Sequence, residues 1–162
     1  MPEAQEGRLI RWLLGLGVRA AMTLVHRIRL ALWRLRKPTA DEVRAIVLTP
    51  DGKVVLVTHS YTPGWYLPGG GAKRGETAEA AMLRELREEI GLLRFSKIAR
   101  ADPVDAKRDG QKQRWLFVVT GAEYAPRWNL EIAVVGAFDP HALPAGCTAS
   151  TGRRIAALLD RR

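Results

Sequence analysis

The stretch from Thr77 to Gly91, TAEAAMLRELREEIG, constrains this chain more than any other. Thr77 is a good N-cap residue, Glu79 falls in the positive first turn, and Gly91 suits the left-handed position that ends a helix. Residues 77–90 therefore read as a helix. On it, Glu85, Glu88 and Glu89 stand at i, i+3 and i+4, so three carboxylates project from one face. Like charges at that spacing repel by roughly 0.2–0.5 kcal/mol per exposed pair, and by more when partly buried. A helix has little reason to gather acids on one stripe unless a cation or a proton offsets them. All-oxygen ligands suit a hard divalent ion, Mg²⁺ or Mn²⁺, and no His or Cys accompanies them as zinc would prefer. Just before the helix, Gly69-Gly70-Gly71 forms a loop where backbone can approach a ligand closely. Glycine loop, acidic helix and divalent cation together point to phosphate chemistry.

The surrounding sequence supplies a sheet. Val43–Leu48 and Lys53–Thr58 are β-branched runs joined by Thr49-Pro50-Asp51-Gly52, a hairpin with its turn chemistry in place. Tyr61–Gly71 is turn-rich and reads as loop around a short extended Trp65-Tyr66-Leu67. Leu92–Ile98, Arg114–Thr120 and Glu131–Phe138 read as strands, with Asp109-Gly110 as a turn, and the tail Thr148–Leu159 ends in a short helix. The order is strand, strand, helix, several strands, helix, which is an α+β arrangement and not a βαβ repeat.

Residues 1–40 differ in kind. Ile10, Leu13, Leu14, Ala21, Leu24, Val25, Ile28, Ala31, Leu32 and Leu35 recur at helical spacing, with Arg8, Arg11, Arg19, His26, Arg29 and Arg36 on the other side. Lys37-Pro38 ends that pattern. Three surfaces compete for the apolar stripe: the main domain, a second subunit of a homodimer, and an anionic membrane with Trp12 and Trp33 near its interface. A secretory signal fits poorly because arginines break the apolar stretch, and the segment lacks the serines of a mitochondrial presequence. The expectation is an uncleaved amphipathic helix (residues 1–40) ahead of a catalytic domain (residues 41–162), in a cytoplasmic protein or one peripheral on the inner face of a membrane.

Charge supports that division. Of the net +9, residues 1–40 hold +6, from eight basic and two acidic residues, and residues 41–162 hold only +3. A nucleic-acid-binding domain spreads basic residues over a fold face, so nucleic acid is not the expected partner of the body. At 162 residues, with 47% hydrophobic and 27% charged residues, the chain suits one globular domain that buries roughly 70% of its unfolded surface. The single cysteine, Cys147, excludes an internal disulfide framework and multi-cysteine metal sites, and it reads as a small buried or loop residue. No apolar run reaches the roughly 20 residues of a spanning helix.

The residues from Gly70 to Leu92 carry a resemblance. Gly70, Glu76, Arg84, Glu85, Leu86, Glu88, Glu89, Gly91 and Leu92 match the Nudix box, G-x5-E-x7-R-E-U-x-E-E-x-G-U, at every specified position. The hairpin, the LPGGG lead-in and the later E-I…F-D-P-x-A-L-P stretch extend the likeness to about residues 42–160. The resemblance implies an α/β/α sandwich with a mixed sheet, and a hydrolase that cleaves a nucleoside diphosphate linked to another moiety. It implies that Glu88 and Glu89 coordinate Mg²⁺, helped by the Gly69 carbonyl, with Glu85 as general base or further ligand. Arg84 would orient the glutamates, and Gly70, Glu76 and Gly91 would support the loop and helix. Glu131 is a candidate additional acid near the metal. Trp65 is a candidate base-stacking residue with packing as its rival role, and Lys73 and Arg74 are candidate phosphate contacts against a solvated turn. Arg114, with Arg108 and Lys112, is a candidate binding rim, and His59 reads as structural.

No downstream marker selects a substrate: Pro103 comes too early and Tyr124 too late for the subfamily positions, and the NADH-type signature is absent. Nucleoside triphosphates, ADP-ribose and nucleotide sugars all fit. RNA 5′-end pyrophosphohydrolysis and a non-catalytic nucleotide-binding module are the alternatives.

Overall fold

The computed structural model describes residues 41–101 and 114–160. The expected helix over residues 8–36, the Asp109-Gly110 turn, Arg108 and Lys112 lie outside the described residues. The elements are β1 (Glu42–Leu48), β2 (Val54–His59), β3 (Thr62–Tyr66), α1 (Ala78–Glu89), β4 (Leu92–Arg94), β5 (Lys97–Ala101), β6 (Arg114–Thr120), β7 (Glu123–Tyr124), β8 (Ile132–Phe138) and α2 (Ala149–Leu159).

The main sheet runs β3-β2-β1-β6-β5, with β8 also pairing to β2. It is mixed: β1 and β6 are parallel from Glu42↔Arg114 to Val47↔Val119, while the other pairs are antiparallel. The β1–β2 hairpin pairs only at its turn end, Val47↔Val55 and Leu48↔Val54. Beyond that β1 diverges, and its amides turn instead to the glycine loop, Val43 N–H donating to Gly70 C=O (2.8 Å) and Ala45 N–H to Pro68 C=O (3.0 Å). The parting of β1 from β2 is what seats the loop in the middle of the sheet.

Strand alternation places a core on each face. Val43, Ala45, Val47, Val55 and Val57 pack with Met82, Leu86 and Ile90 of α1. Ile46, Leu48, Val54 and Leu56 pack with Ile155 of α2 on the opposite face. With both faces covered, the strands read as continuous apolar runs. Met82, Leu86 and Ile90 are fully buried, each stabilising the fold by about 1.5–3 kcal/mol. The result is an α/β/α sandwich, as the resemblance implies.

Helix α1 starts as expected, with Thr77 Oγ1 accepting the Ala80 N–H at 3.2 Å. It ends at Gly91, whose φ of +67° is the left-handed conformation, and whose Cα faces the Ala125 carbonyl too closely for a side chain. Two expectations need correction. Leu92–Ile98 is not one strand: the chain breaks at Phe95-Ser96, so β4 pairs with β7 in a separate two-stranded sheet and β5 pairs with β6. Ser96 N–H bonds Thr120 C=O at 2.8 Å at the break, while Phe95 packs into the α1-side core. Tyr61–Gly71 is not all loop, since Thr62–Tyr66 forms β3 against β2. Among the described residues, no helix is long and apolar enough to cross a membrane.

Candidate active site

Arg84 organises the first half of the acidic stripe. Its Nε and Nη2 donate to Glu76 Oε1 and Oε2 at 2.9 and 3.0 Å, a two-pronged pairing. Its Nη1 donates to Glu85 Oε1 at 2.8 Å and sits 3.4 Å from Glu88 Oε2, and Nη2 also reaches the Gly71 carbonyl at 2.9 Å. One guanidinium thus joins three carboxylates to the glycine loop. The pairing with Arg84 holds the Glu76 carboxyl down to about 2, and Glu76 Oε2 also accepts the Lys73 N–H at 2.8 Å. The carboxyl of Glu85 reaches within 2.7 Å of where a side chain on Gly70 would start, so a larger residue there would push that carboxyl aside. Burial raises the Glu85 carboxyl, and Arg84 works against that rise.

The second half is built differently. Glu89 is only 5% exposed, and its Oε2 accepts the Gly69 N–H at 2.8 Å. Burial pushes its carboxyl up to about 8, despite the Gly69 amide and the positive charge of Arg44. Gly69 has φ +135°, a conformation that turns its amide to Glu89 and its carbonyl to Arg44 Nη1 (2.6 Å). The carbonyl expected to help hold the cation is therefore engaged by Arg44, which is itself paired to Glu42 at 2.9 Å. Glu88 stands at the solvent edge, its side chain 58% exposed.

Two further segments close on Glu89. His59 ends β2 and Glu131 directly precedes β8, and antiparallel pairing His59↔Ile132 brings them together. One ligand atom each from His59, Glu89 and Glu131 lie within 4.8 Å of one another. Tyr61 donates its hydroxyl proton to Glu131 Oε1 at 3.0 Å. The rings of Tyr61 and Tyr66 lie 5.3 Å from the imidazole, the first stacked and the second tilted. His59 Nδ1 is buried without a hydrogen-bond partner, and burial together with the charge of Arg44 lowers the imidazole pKa. Asn129 ties the parts together: its Oδ1 accepts the Glu131 and Ile132 amides at 2.9 and 2.6 Å, and its Nδ2 reaches Glu88 C=O at 3.4 Å. The converging donors are two carboxylates, Glu89 and Glu131, and the imidazole of His59, a set that suits a divalent cation, with Glu88 at the solvent edge beside it.

The remaining expected residues fall elsewhere. Trp65 packs edge-on against Phe138 (4.7 Å between rings) in the core beneath α2, on the face opposite α1. Lys73 and Arg74 are exposed on the loop before α1, and Arg114 opens β6 beside Glu42 at 3.3 Å. Arg44, Tyr61 and Asn129 were not singled out from the sequence. Arg44 left one signal, a charge inside the apolar run VRAIVL. The other two left none, because their roles depend on which strands meet.

A family model for the NUDIX domain matches residues 38–157. The chain belongs to this family. An RNA pyrophosphohydrolase of Psychromonas ingrahamii is 34% identical, over 47% of this chain and 51% of that protein. One from Halorhodospira halophila is 36% identical, over 46% of this chain and 36% of that protein. The chain thus spans about half or less of the length of the curated relatives it matches. Among solved structures, a MutT Nudix hydrolase from Burkholderia pseudomallei superposes with a TM-score of 0.57 at 23% identity, covering 74% of this chain and 98% of that one. That likeness is one of fold. Nudix membership accounts for the conjunction of glycine loop, Arg84 clasp and acidic helix.

Proposed function

We propose that this Nudix protein is a divalent-cation-dependent pyrophosphohydrolase, with Mg²⁺ or Mn²⁺ as the ion, acting on a small nucleoside diphosphate derivative: a nucleoside triphosphate, ADP-ribose or a nucleotide sugar. The observation that carries this reading is the contrast across the loop and helix, where Arg84 clasps Glu76 and Glu85 while the buried Glu89 meets a backbone amide and is pushed up to about 8. Glu88 and Glu89, with Glu85 and Glu131 beside them, would hold the ion. When bound, it supplies positive charge against the pyrophosphate oxygens and lowers the pKa of water. Glu85, raised by burial, takes the proton of the attacking water, and Arg84 keeps its carboxyl in one orientation. Gly70 lets that carboxyl lie against the backbone, and Gly91 ends α1 so that Glu89 stays under the loop. Lys73 and Arg74, exposed on the loop, would meet outer phosphates.

A second reading is an RNA 5′-end pyrophosphohydrolase. The relatives named for that activity favour it, and the +6 charge within residues 1–40 would hold phosphate backbone. One experiment tests both: the purified chain with Mg²⁺ or Mn²⁺ against nucleoside triphosphates, ADP-ribose, nucleotide sugars and a 5′-triphosphate RNA, with released phosphate measured. Hydrolysis of a small nucleotide supports the first reading. Hydrolysis of RNA alone moves the assignment to the second. Inactivity on all of them, with the ion bound, leaves a binding module.

A further inference from the structure

His59 is the element of the site that an all-oxygen cation centre does not require. It closes β2, against Glu131 at the foot of β8 and Glu89 at the end of α1, with one ligand atom from each within 4.8 Å of the others. Among the described residues, its Nδ1 is the buried side-chain nitrogen or oxygen atom without a hydrogen-bond partner. A native fold rarely leaves such an atom unsatisfied, since doing so costs about 1–3 kcal/mol. The neighbours are also held in place. Gly69 N–H fixes Glu89 Oε2, Tyr61 O–H fixes Glu131 Oε1, and the rings of Tyr61 and Tyr66 flank the imidazole at 5.3 Å. Hydrogen bonds behind both carboxylates and rings beside the imidazole are the supports that orient ligands toward an ion.

An imidazole added to two carboxylates changes which ion is favoured. Mg²⁺ selects oxygen donors, whereas nitrogen donors raise the affinity of first-row transition ions in the order Mn²⁺, Fe²⁺, Co²⁺. We infer that His59, Glu89 and Glu131 form a mixed nitrogen–oxygen cation site, and that His59 selects a first-row transition divalent ion over Mg²⁺. The inference deepens the proposed function, because Glu89 belongs to both, but it concerns the choice of ion and not the occurrence of hydrolysis.

The test uses the full chain with Mn²⁺ alone. Pulsed electron paramagnetic resonance of the Mn²⁺ complex should show coupling to a histidine nitrogen, lost in His59→Gln. Calorimetric titration should show the Mn²⁺-over-Mg²⁺ affinity ratio falling roughly 10-fold or more in His59→Gln. The variant's circular dichroism should match that of the parent, and because the nitrogen coupling is read on the unmodified chain, a misfolded variant would not blunt the test. Mn²⁺ bound without nitrogen coupling, alongside normal pyrophosphate hydrolysis, would overturn the inference and leave the proposed function standing. Nitrogen coupling in a chain that hydrolyses nothing would do the reverse. Failure of Mn²⁺ to bind would overturn the inference, and pyrophosphate hydrolysis with Mg²⁺ would then still uphold the proposed function.

Discussion

Glu76 and Glu89 both accept a backbone amide from the same glycine-rich loop, Lys73 N–H for one and Gly69 N–H for the other, yet their carboxyls are driven in opposite directions. Glu76 is held down to about 2 because Arg84 grips both its oxygens, and Glu89 is pushed up to about 8 because burial strips its water. An amide satisfies a hydrogen bond but cancels little of a buried charge; a guanidinium does both. The Arg84 end of the stripe is complete within the protein, and it serves as a frame. The Glu89 end is where an added positive charge is stabilised most.

That comparison breaks most sharply in catalysis. Glu88→Gln removes an exposed carboxylate without disturbing the core, so the protein stays folded while kcat falls by roughly 10²–10³-fold, the scale of one lost electrostatic contact in a transition state. Phosphate release under saturating substrate checks this, and near-normal turnover would place the ion elsewhere. The frame responds through stability instead. Arg84→Ala leaves Glu76 and Glu85 without their shared cation and lowers unfolding free energy by about 2–4 kcal/mol in urea titration, with Arg84→Lys recovering only part because an ammonium lacks the fork.

The two carboxyls also predict opposite pH responses in the chelated protein. Glu76 is depressed below its ordinary 4.5, so its contribution is present above that value and lost as pH falls from 4.5 toward 2. Glu89 is raised, so its contribution is full below 4.5 and is lost as pH rises from 4.5 through 8. Glu89→Gln should therefore gain in Tm relative to the parent as pH climbs from 5 to 8.5, and Glu76→Gln should gain relative to the parent as pH drops below 4.5. Matching slopes in both variants would remove the distinction. The smallest effect is the helix cap common to both ends: Thr77→Ala should cost about 1 kcal/mol by urea midpoint and leave the ion affinity unchanged.

Local chemistry made one half of the site legible. Arg84, Glu85, Glu88 and Glu89 sit on one helix, so spacing alone aligns them, and Thr77 and Gly91 mark its ends. Glu131 was legible as a candidate because it heads the strand-like run Glu131–Phe138, and the structure, which sets it just before β8, brings it to Glu89. His59 read as a structural residue, since a lone histidine after a strand carries no pattern. Leu92–Ile98 (LLRFSKI) misread as one strand because its residue types do not reveal a change of pairing partner at Phe95-Ser96. The hairpin was correct in its turn but not in its extent, as β1 leaves β2 to pair with β6 and the glycine loop.

By itself, then, the sequence determined α1, its caps, its stripe of acids and the family to which the domain belongs, because helical periodicity and capping act over a few residues. Tertiary structure decided that Arg44 takes the Gly69 carbonyl, that Trp65 lies beneath α2 instead of beside the glutamates, and that His59 and Glu131 meet Glu89. Those contacts hang on the β2–β8 register and on the divergence of β1 from β2. Both are set by which faces can be buried at once, a condition that exists only when the whole sheet is assembled.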